Sequence, residues 1–512
     1  MKKQIYCTFV GLLVTVLLVS ACSDFNSINT NPNAPTEVTS GMLATNLILD
    51  ISEQSGTKGF LRDDMLAKYI AWNEKLEGYQ YNEFGRDSFG GLLILNNVDQ
   101  MVSFAPNGEV KKSYQALGHF VRAFKFFRMS MYMGDIPYSE AIQGENEEPI
   151  YRPSYDTQKE VILGVLNELD QAEQLFAEGT NFEGDPIYGG DVAQWRKLAN
   201  SFQLHVLINL HKKTGDADLN VAARFQDIVN NRPIFESNAD NFQLTYSDQD
   251  GQKYPWYKEG NNFLIYPMVS NLLIENLKQL GDRRLFYYTA PSPVQIDQGR
   301  AVSDWDAYKG VDVASEFANI TAVASSNDYS NINLRYSERP EGEPTFLLSY
   351  GQLNFIMAEA AARGWITGTG ENYYNEGIRA SMEFVADHTP DDSRFHHNMP
   401  ITDSYISSYI QSSEVAFATT LESQVKQIVI QKYILFYMQS PWNPYFEYRR
   451  TGYPAFPINT NSNLNTPTDQ IPNRWMYPSD EFDQNRENVQ AALDRQFGGE
   501  DDVNGKMWIL KD

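Results

Sequence analysis

From about residue 41 to the C-terminus the sequence keeps returning to apolar residues three and four positions apart, the period of a helix with one buried side. Residues 108–133 are the clearest case, with Tyr114, Leu117, Phe120, Val121, Phe124, Phe127 and Met131 on one stripe. Residues 155–176, 192–213, 347–362, 373–386 and 421–438 repeat the pattern. A stripe of this width must pack on another helix, so residues 41–512 read as one all-α unit rather than a sheet protein.

Several stripes come as neighbours joined by short turns. Ala358, Ala360, Ala361 and Ala362 are small enough for close helix approach, Thr367-Gly368-Thr369-Gly370 makes a turn, and residues 373–386 supply the returning helix. The unit resembles a tetratricopeptide hairpin. Two blocks break the pattern, about 236–345 and 441–478, where Asn, Asp, Gly, Ser and Pro are dense and aromatic rings sit among turn formers. Long irregular segments inside a compact domain are where ligand contacts are expected. The expected architecture is a scaffold of tetratricopeptide-like helix pairs decorated by loop-rich, ligand-binding segments.

The N-terminus sets the compartment. Lys2 and Lys3 precede an apolar run at 9–19, of signal-peptide length and too short to span a bilayer. Val19-Ser20-Ala21-Cys22 then places small residues before a cysteine, the pattern a lipoprotein signal peptidase needs. Residues 1–21 are read as the signal and Cys22 as the lipidated first residue of the mature chain. Residues 22–40, rich in Asn, Pro, Ser and Thr, form the tether. The other cysteine, Cys7, leaves with the signal, so neither an internal disulfide nor a cysteine-ligated metal is available. Asp plus Glu number 66 against 41 Lys plus Arg, a net charge of -25 that repels phosphate backbones and disfavours a nucleic-acid partner.

Motifs along the chain then carry a resemblance. After the lipobox come Asp24-Phe25 and Asn29-Thr30-Asn31-Pro32-Asn33, followed by Gly134-Asp135-Ile136-Pro137-Tyr138. Trp195-Arg196-Lys197-Leu198, Phe355-Ile356-Met357-Ala358-Glu359-Ala360, Glu447-Tyr448-Arg449-Arg450-Thr451-Gly452-Tyr453-Pro454 and Arg474-Trp475-Met476-Tyr477-Pro478 continue the series. In order and spacing the chain resembles the SusD/RagB nutrient-binding outer-membrane lipoproteins. The resemblance implies four tetratricopeptide-like pairs and a non-catalytic capture protein, lipid-anchored in the outer membrane and facing outward. It also implies an oligosaccharide ligand, or a peptide in some branches, handed to a SusC-like TonB-dependent barrel. No cofactor is implied. The alternatives are a surface-anchored glycan hydrolase or a pure scaffold.

Most motif residues are expected to be structural. Asp135 should serve a turn or cap, Arg449 and Arg450 should brace their loop to the helical core beside Glu447, and Trp195 and Trp365 should pack. Ligand contacts are expected in the loops instead. The first set, Trp72, Asn73, Tyr79, Tyr81 and Arg86, follows a helical stretch at 61–71; the second is Tyr254, Trp256 and Tyr257; the third is Trp305 between Asp304 and Asp306. Rings stack on the apolar face of a sugar while neighbouring polar groups take its hydroxyls. A neutral ligand suits the acidic chain better than an anionic one. No metal is expected: the six histidines form no zinc pair, and Asp248-x-Asp250-Gly251 lacks the closing Glu of a calcium loop.

Overall fold

The structure is a computed structural model that describes residues 38–440 and 442–512. The signal, Cys22 and the tether up to residue 37 lie outside the described residues. The helices of nine residues or more are α1 (Ser40–Ser52), α2 (Lys58–Leu66), α3 (Asn96–Phe104), α4 (Glu109–Met133), α5 (Gln158–Glu178), α6 (Val192–Asn209) and α7 (Val221–Asn231). They continue as α8 (Asn271–Leu280), α9 (Phe317–Ser326), α10 (Tyr350–Ala362), α11 (Gly370–Asp387), α12 (Leu421–Leu435), α13 (Trp442–Thr451) and α14 (Arg486–Phe497). Short strands β1 (Ile70–Trp72), β2 (Phe242–Leu244), β3 (Pro267–Val269) and β4 (Thr345–Leu348) form two antiparallel pairs, β1 with β3 and β2 with β4.

Four helix pairs make the scaffold: α4 with α5, α6 with α7, α10 with α11, and α12 with α13. α5 packs on α6, α6 on α10 and α10 on α12, so the pairs stack into one continuous core. The apolar stripe of α4 is buried along its whole length. α5 begins at a capping box in which Thr157 and Glu160 satisfy each other's backbone N–H groups. Small residues set the closest approaches: a methyl added at Gly377 of α11 would come within 2.7–3.0 Å of the Phe355 ring of α10.

A buried charge cluster ties three of these helices together. Arg450 of α13 donates to both Glu359 carboxylate oxygens at 2.5 and 2.7 Å and to Glu447 at 2.5 Å, while Lys432 of α12 pairs with Glu447. Arg363 closes on Glu359 at 2.8 Å. Arg449 donates to the carbonyls of Asn473 and Met131 at 2.6 and 2.8 Å, which anchors the chain after α13. Asp135 accepts from the first N–H of α5 at 2.8 Å and from Arg495 of α14 at 2.5 Å. Trp195 is fully buried, its indole donating to Asp185 at 2.8 Å, and Trp365 is buried against Phe225. These motif residues hold the scaffold together, as their sequence context indicates.

Local structure departs from the sequence reading in three places. The stretch 61–71 is not one helix: α2 ends at Leu66, Lys68 turns the chain at φ +63°, and β1 follows. Residues 345–348 are strand rather than the start of a helix, because they pair with β2, and Ser349 caps α10 by accepting from the Gln352 N–H. The block at 441–478 opens with a helix, α13, which packs on α12; irregular chain begins after it, at Gly452 with φ +80°.

Candidate functional site

The loop aromatics are sorted by the small β1–β3 sheet. Side chains alternate across a strand, and both faces of β1 are covered: Ile70 and Trp72 enter the main core while Ala71 joins a second cluster with Met268, Val311, Val313 and Ile320. Trp72 is therefore fully buried. Tyr81 is buried too, its hydroxyl donating to the Ser315 carbonyl at 3.0 Å. Tyr254 sits within 5.3–5.4 Å of the Tyr246 and Phe60 rings, and Trp256 is likewise enclosed. The expectation of direct ligand contact is corrected for these four: Trp72, Tyr81, Tyr254 and Trp256 have no open ring face, because neighbouring chain covers both sides.

What Trp72 does is support a surface. Phe263 and Tyr266, half-buried, lie 6.0 and 5.7 Å from its ring, and Asn73 donates its N–H to the Tyr266 carbonyl at 3.2 Å. Lys58, at the start of α2, places its ammonium 4.9 Å from the Trp72 centroid and 5.9 Å from that of Phe263. It pairs with Glu77 at 2.6 Å and Glu74 at 3.3 Å, and the Trp72 indole donates to Glu74 at 3.1 Å. Ile265 and Leu76 flank these groups at 68% and 47% exposure, which is high for apolar side chains. The result is a shallow apolar platform edged by one cation and two carboxylates.

Lys58 and Glu74 keep their charges at neutral pH. Burial pulls the Lys58 ammonium down, but Glu77 and Glu74 outweigh it and hold it above its ordinary range. The Trp72 indole, then Lys58, keep the Glu74 carboxyl below its own. Fixed donors and acceptors beside open rings suit the two sides of a sugar ring.

The remaining sequence candidates lie apart from that platform or at its margin. Tyr257 is half-buried with the Lys253 ammonium 5.5 Å from its ring. Tyr79 lies under Arg62 at 5.3 Å and accepts from the Trp475 indole at 3.3 Å. Arg86 reaches Asp501 at 2.5 Å and the Tyr477 carbonyl at 2.7 Å, bracing the C-terminal segment. Trp305 packs edge-on against Phe286 at 4.7 Å; Asp304 accepts from the Asp306 N–H and pairs with Arg300, so it already has partners. Asp248 pairs with Lys253 at 3.6 Å, and among the described residues no three His, Cys, Asp or Glu side chains gather as a metal site.

Sequence reasoning missed Lys58, Glu74, Glu77, Phe263 and Tyr266. Phe263-Leu264-Ile265-Tyr266 is an unbroken apolar run directly after Asn261-Asn262, inside a loop-rich block, and that was the available signal. Asn261 shapes the turn by accepting from the Phe263 N–H at 3.0 Å. Lys58 carried no such signal, since it meets the rings only through the fold of α2.

The comparisons with known proteins agree across the chain. A SusD-like family model described as starch-binding, associating with outer membrane, matches residues 32–478. A SusD homologue from Bacteroides fragilis superposes with a TM-score of 0.90 at 45% identity, covering 93% of this chain and 100% of its own. A second Bacteroides fragilis SusD homologue gives 0.83 at 33% identity with the same coverage. So does, at 32% identity and a TM-score of 0.83, a Bacteroides vulgatus protein whose description links it to nutrient binding at the outer membrane. No curated protein matches the chain. Among the described residues no helix is long and apolar enough to cross a membrane. The helical pairs, the loop-borne platform and the family match over most of the chain together identify it as a member of the SusD-like family of outer-membrane-associated, glycan-binding proteins.

Proposed function

We propose that this protein captures neutral oligosaccharides at the cell surface, tethered by lipid on Cys22, and delivers them without chemistry to a SusC-like TonB-dependent barrel. The observation that carries the reading is the platform of Phe263 and Tyr266 over buried Trp72, edged by Lys58, Glu74 and Glu77. Its half-buried rings suit the CH face of a pyranose, and its edge of one ammonium and two carboxylates suits hydroxyls more than an anionic group. Asn73 and Tyr79 are the sequence candidates nearest in chain to these residues; Tyr257, Arg86 and Trp305 are kept as secondary contacts. The family membership supports the glycan class, and the N-terminal signal supports the outward anchor.

The test is calorimetry of the full chain in detergent against neutral oligosaccharides, acidic oligosaccharides and peptides, with chromatography of each mixture after long incubation. Binding of neutral sugars without new products is expected, weakened at least tenfold in Phe263→Ala. Product formation would replace capture with hydrolysis, and peptide binding alone would replace the ligand class.

A further inference from the structure

A cleft also meets α2 at Arg62 and Asp63. It encloses about 220 Å³ between the end of α1, α2, α4, α6 and the α12–α13 junction. One water needs only ~10–15 Å³ of such space, so the cleft has room for a guest much larger than one water. Phe124 and Phe127 of α4, Phe202 of α6 and Phe446 of α13 give it an apolar wall.

Polar and charged side chains make up most of the rest of the lining. Arg128 donates through Nε to the Tyr132 hydroxyl at 2.5 Å, and its guanidinium carbon lies 5.6 Å from the Tyr132 and Trp442 ring centres. Among the described residues no carboxylate comes within 4.0 Å of it, and its two Nη groups meet no protein acceptor. The guanidinium is half-buried, so its Nη groups are free to donate to a ligand or to water in the cleft. Asp63 stands nearby: burial pushes its carboxyl up, while Arg62 and then Arg128 pull it back. His205 lines the wall as a neutral imidazole, pushed down to about 3 by burial.

The other charges are matched. Asp63 pairs with Arg62 at 3.2 Å and Asp50 with Lys125, while Glu53 is exposed at the mouth. An anionic guest would gain Arg128 but meet Asp63 beside it and Glu53 at the entrance. A neutral polyol can accept from the fork and donate to Asp63 at once.

We propose that this cleft is a second saccharide site that takes one neutral sugar residue, its hydroxyls on the Arg128 fork and its carbon skeleton on the phenylalanine wall. The inference rests on the glycan reading of the chain, and it adds a division of labour: the platform takes the body of a glycan, the cleft a single residue at its end.

The experiment titrates glucose, galactose, mannose, N-acetylglucosamine and glucuronate into the full chain in detergent, following tryptophan fluorescence with Trp442 as the local reporter and calorimetry in parallel. At least one neutral monosaccharide should bind saturably, and at least tenfold more tightly than glucuronate. Arg128→Met, which keeps the stem and removes the fork, should weaken that binding at least tenfold. Ser55→Phe, at the exposed mouth, should do the same and decides the matter if Arg128→Met fails to fold. Equal binding in both cleft variants, or tighter binding of glucuronate, overturns the proposal. If monosaccharides do not bind while oligosaccharides do so through Phe263, the cleft proposal fails and the platform reading stands. If no saccharide of any length binds, both fall.

Discussion

Lys68 shows how far a single side chain can stand from its sequence context. Its buried ammonium donates to the Tyr79 and Gln80 carbonyls at 3.2 and 2.7 Å and to Asn82 Oδ1 at 2.8 Å, all neutral acceptors. It thereby shapes the turn that carries Tyr79. Burial pushes it down to about 7 from an ordinary 10.5. Between those values the unfolded chain binds the proton and the folded chain does not, so stability rises with pH through the window, and the full penalty of a buried charge applies below it. Melting curves from pH 6 to pH 10 should show wild type gaining on Lys68→Met as pH rises above 7. The variant also strands three acceptors, which lowers its curve as a whole without changing that slope. Parallel curves would show that the ammonium keeps its charge in the fold. A lysine in a stretch with helical periodicity gives no sign of this, because the acceptors are placed by a turn that the local pattern does not encode.

At the scale of elements, the sequence is most legible where partners are close in the chain and least where they are distant. The stripes of α4, α5, α10 and α11 predicted helices to within a few residues. β4 was unreadable as a strand because its partner, β2, lies about a hundred residues earlier, and for Trp72 the sequence left core and ligand contact about even, because the β3 that covers it comes only at residues 267–269. The Glu359 cluster lies between these cases: the sequence paired Arg450 with Glu447, but the bidentate partner on α10 came only with the fold. Burial pushes the Glu359 and Glu447 carboxyls up, and Arg450 more than reverses it, holding both below their ordinary 4.5. Their stabilisation is present above about 4.5 and is lost as pH falls through the depressed folded values. Glu359→Gln leaves Arg450 buried with half its partners, so a loss of about 3–5 kcal/mol is expected, together with a flatter acid limb in calorimetric scans. An unchanged melting temperature would mean that Lys432 and Arg450 re-pair with Glu447 alone.

For the whole molecule, charge and anchorage have to be read together. A chain with a net charge of -25 is repelled by anionic headgroups, so nothing in its bulk electrostatics holds it at a bilayer. The described surface offers no spanning helix either. In the proposed reading, attachment rests on lipid at Cys22 and on the face that a barrel would cover. Two acyl chains on the cysteine suffice for stable anchoring where one chain would be marginal. Cys22→Ala expressed without a SusC-like barrel should move from the membrane pellet to the soluble fraction, with a melting temperature unchanged from wild type because the described helices begin only at Ser40. Coexpression with such a barrel should return part of the variant to the pellet, with or without Phe263→Ala if the barrel contacts a face other than the platform. Retention of Cys22→Ala in membranes without the barrel would defeat the lipid anchor; failure of the barrel to recover it would confine delivery to a lipid-tethered encounter rather than a stable complex.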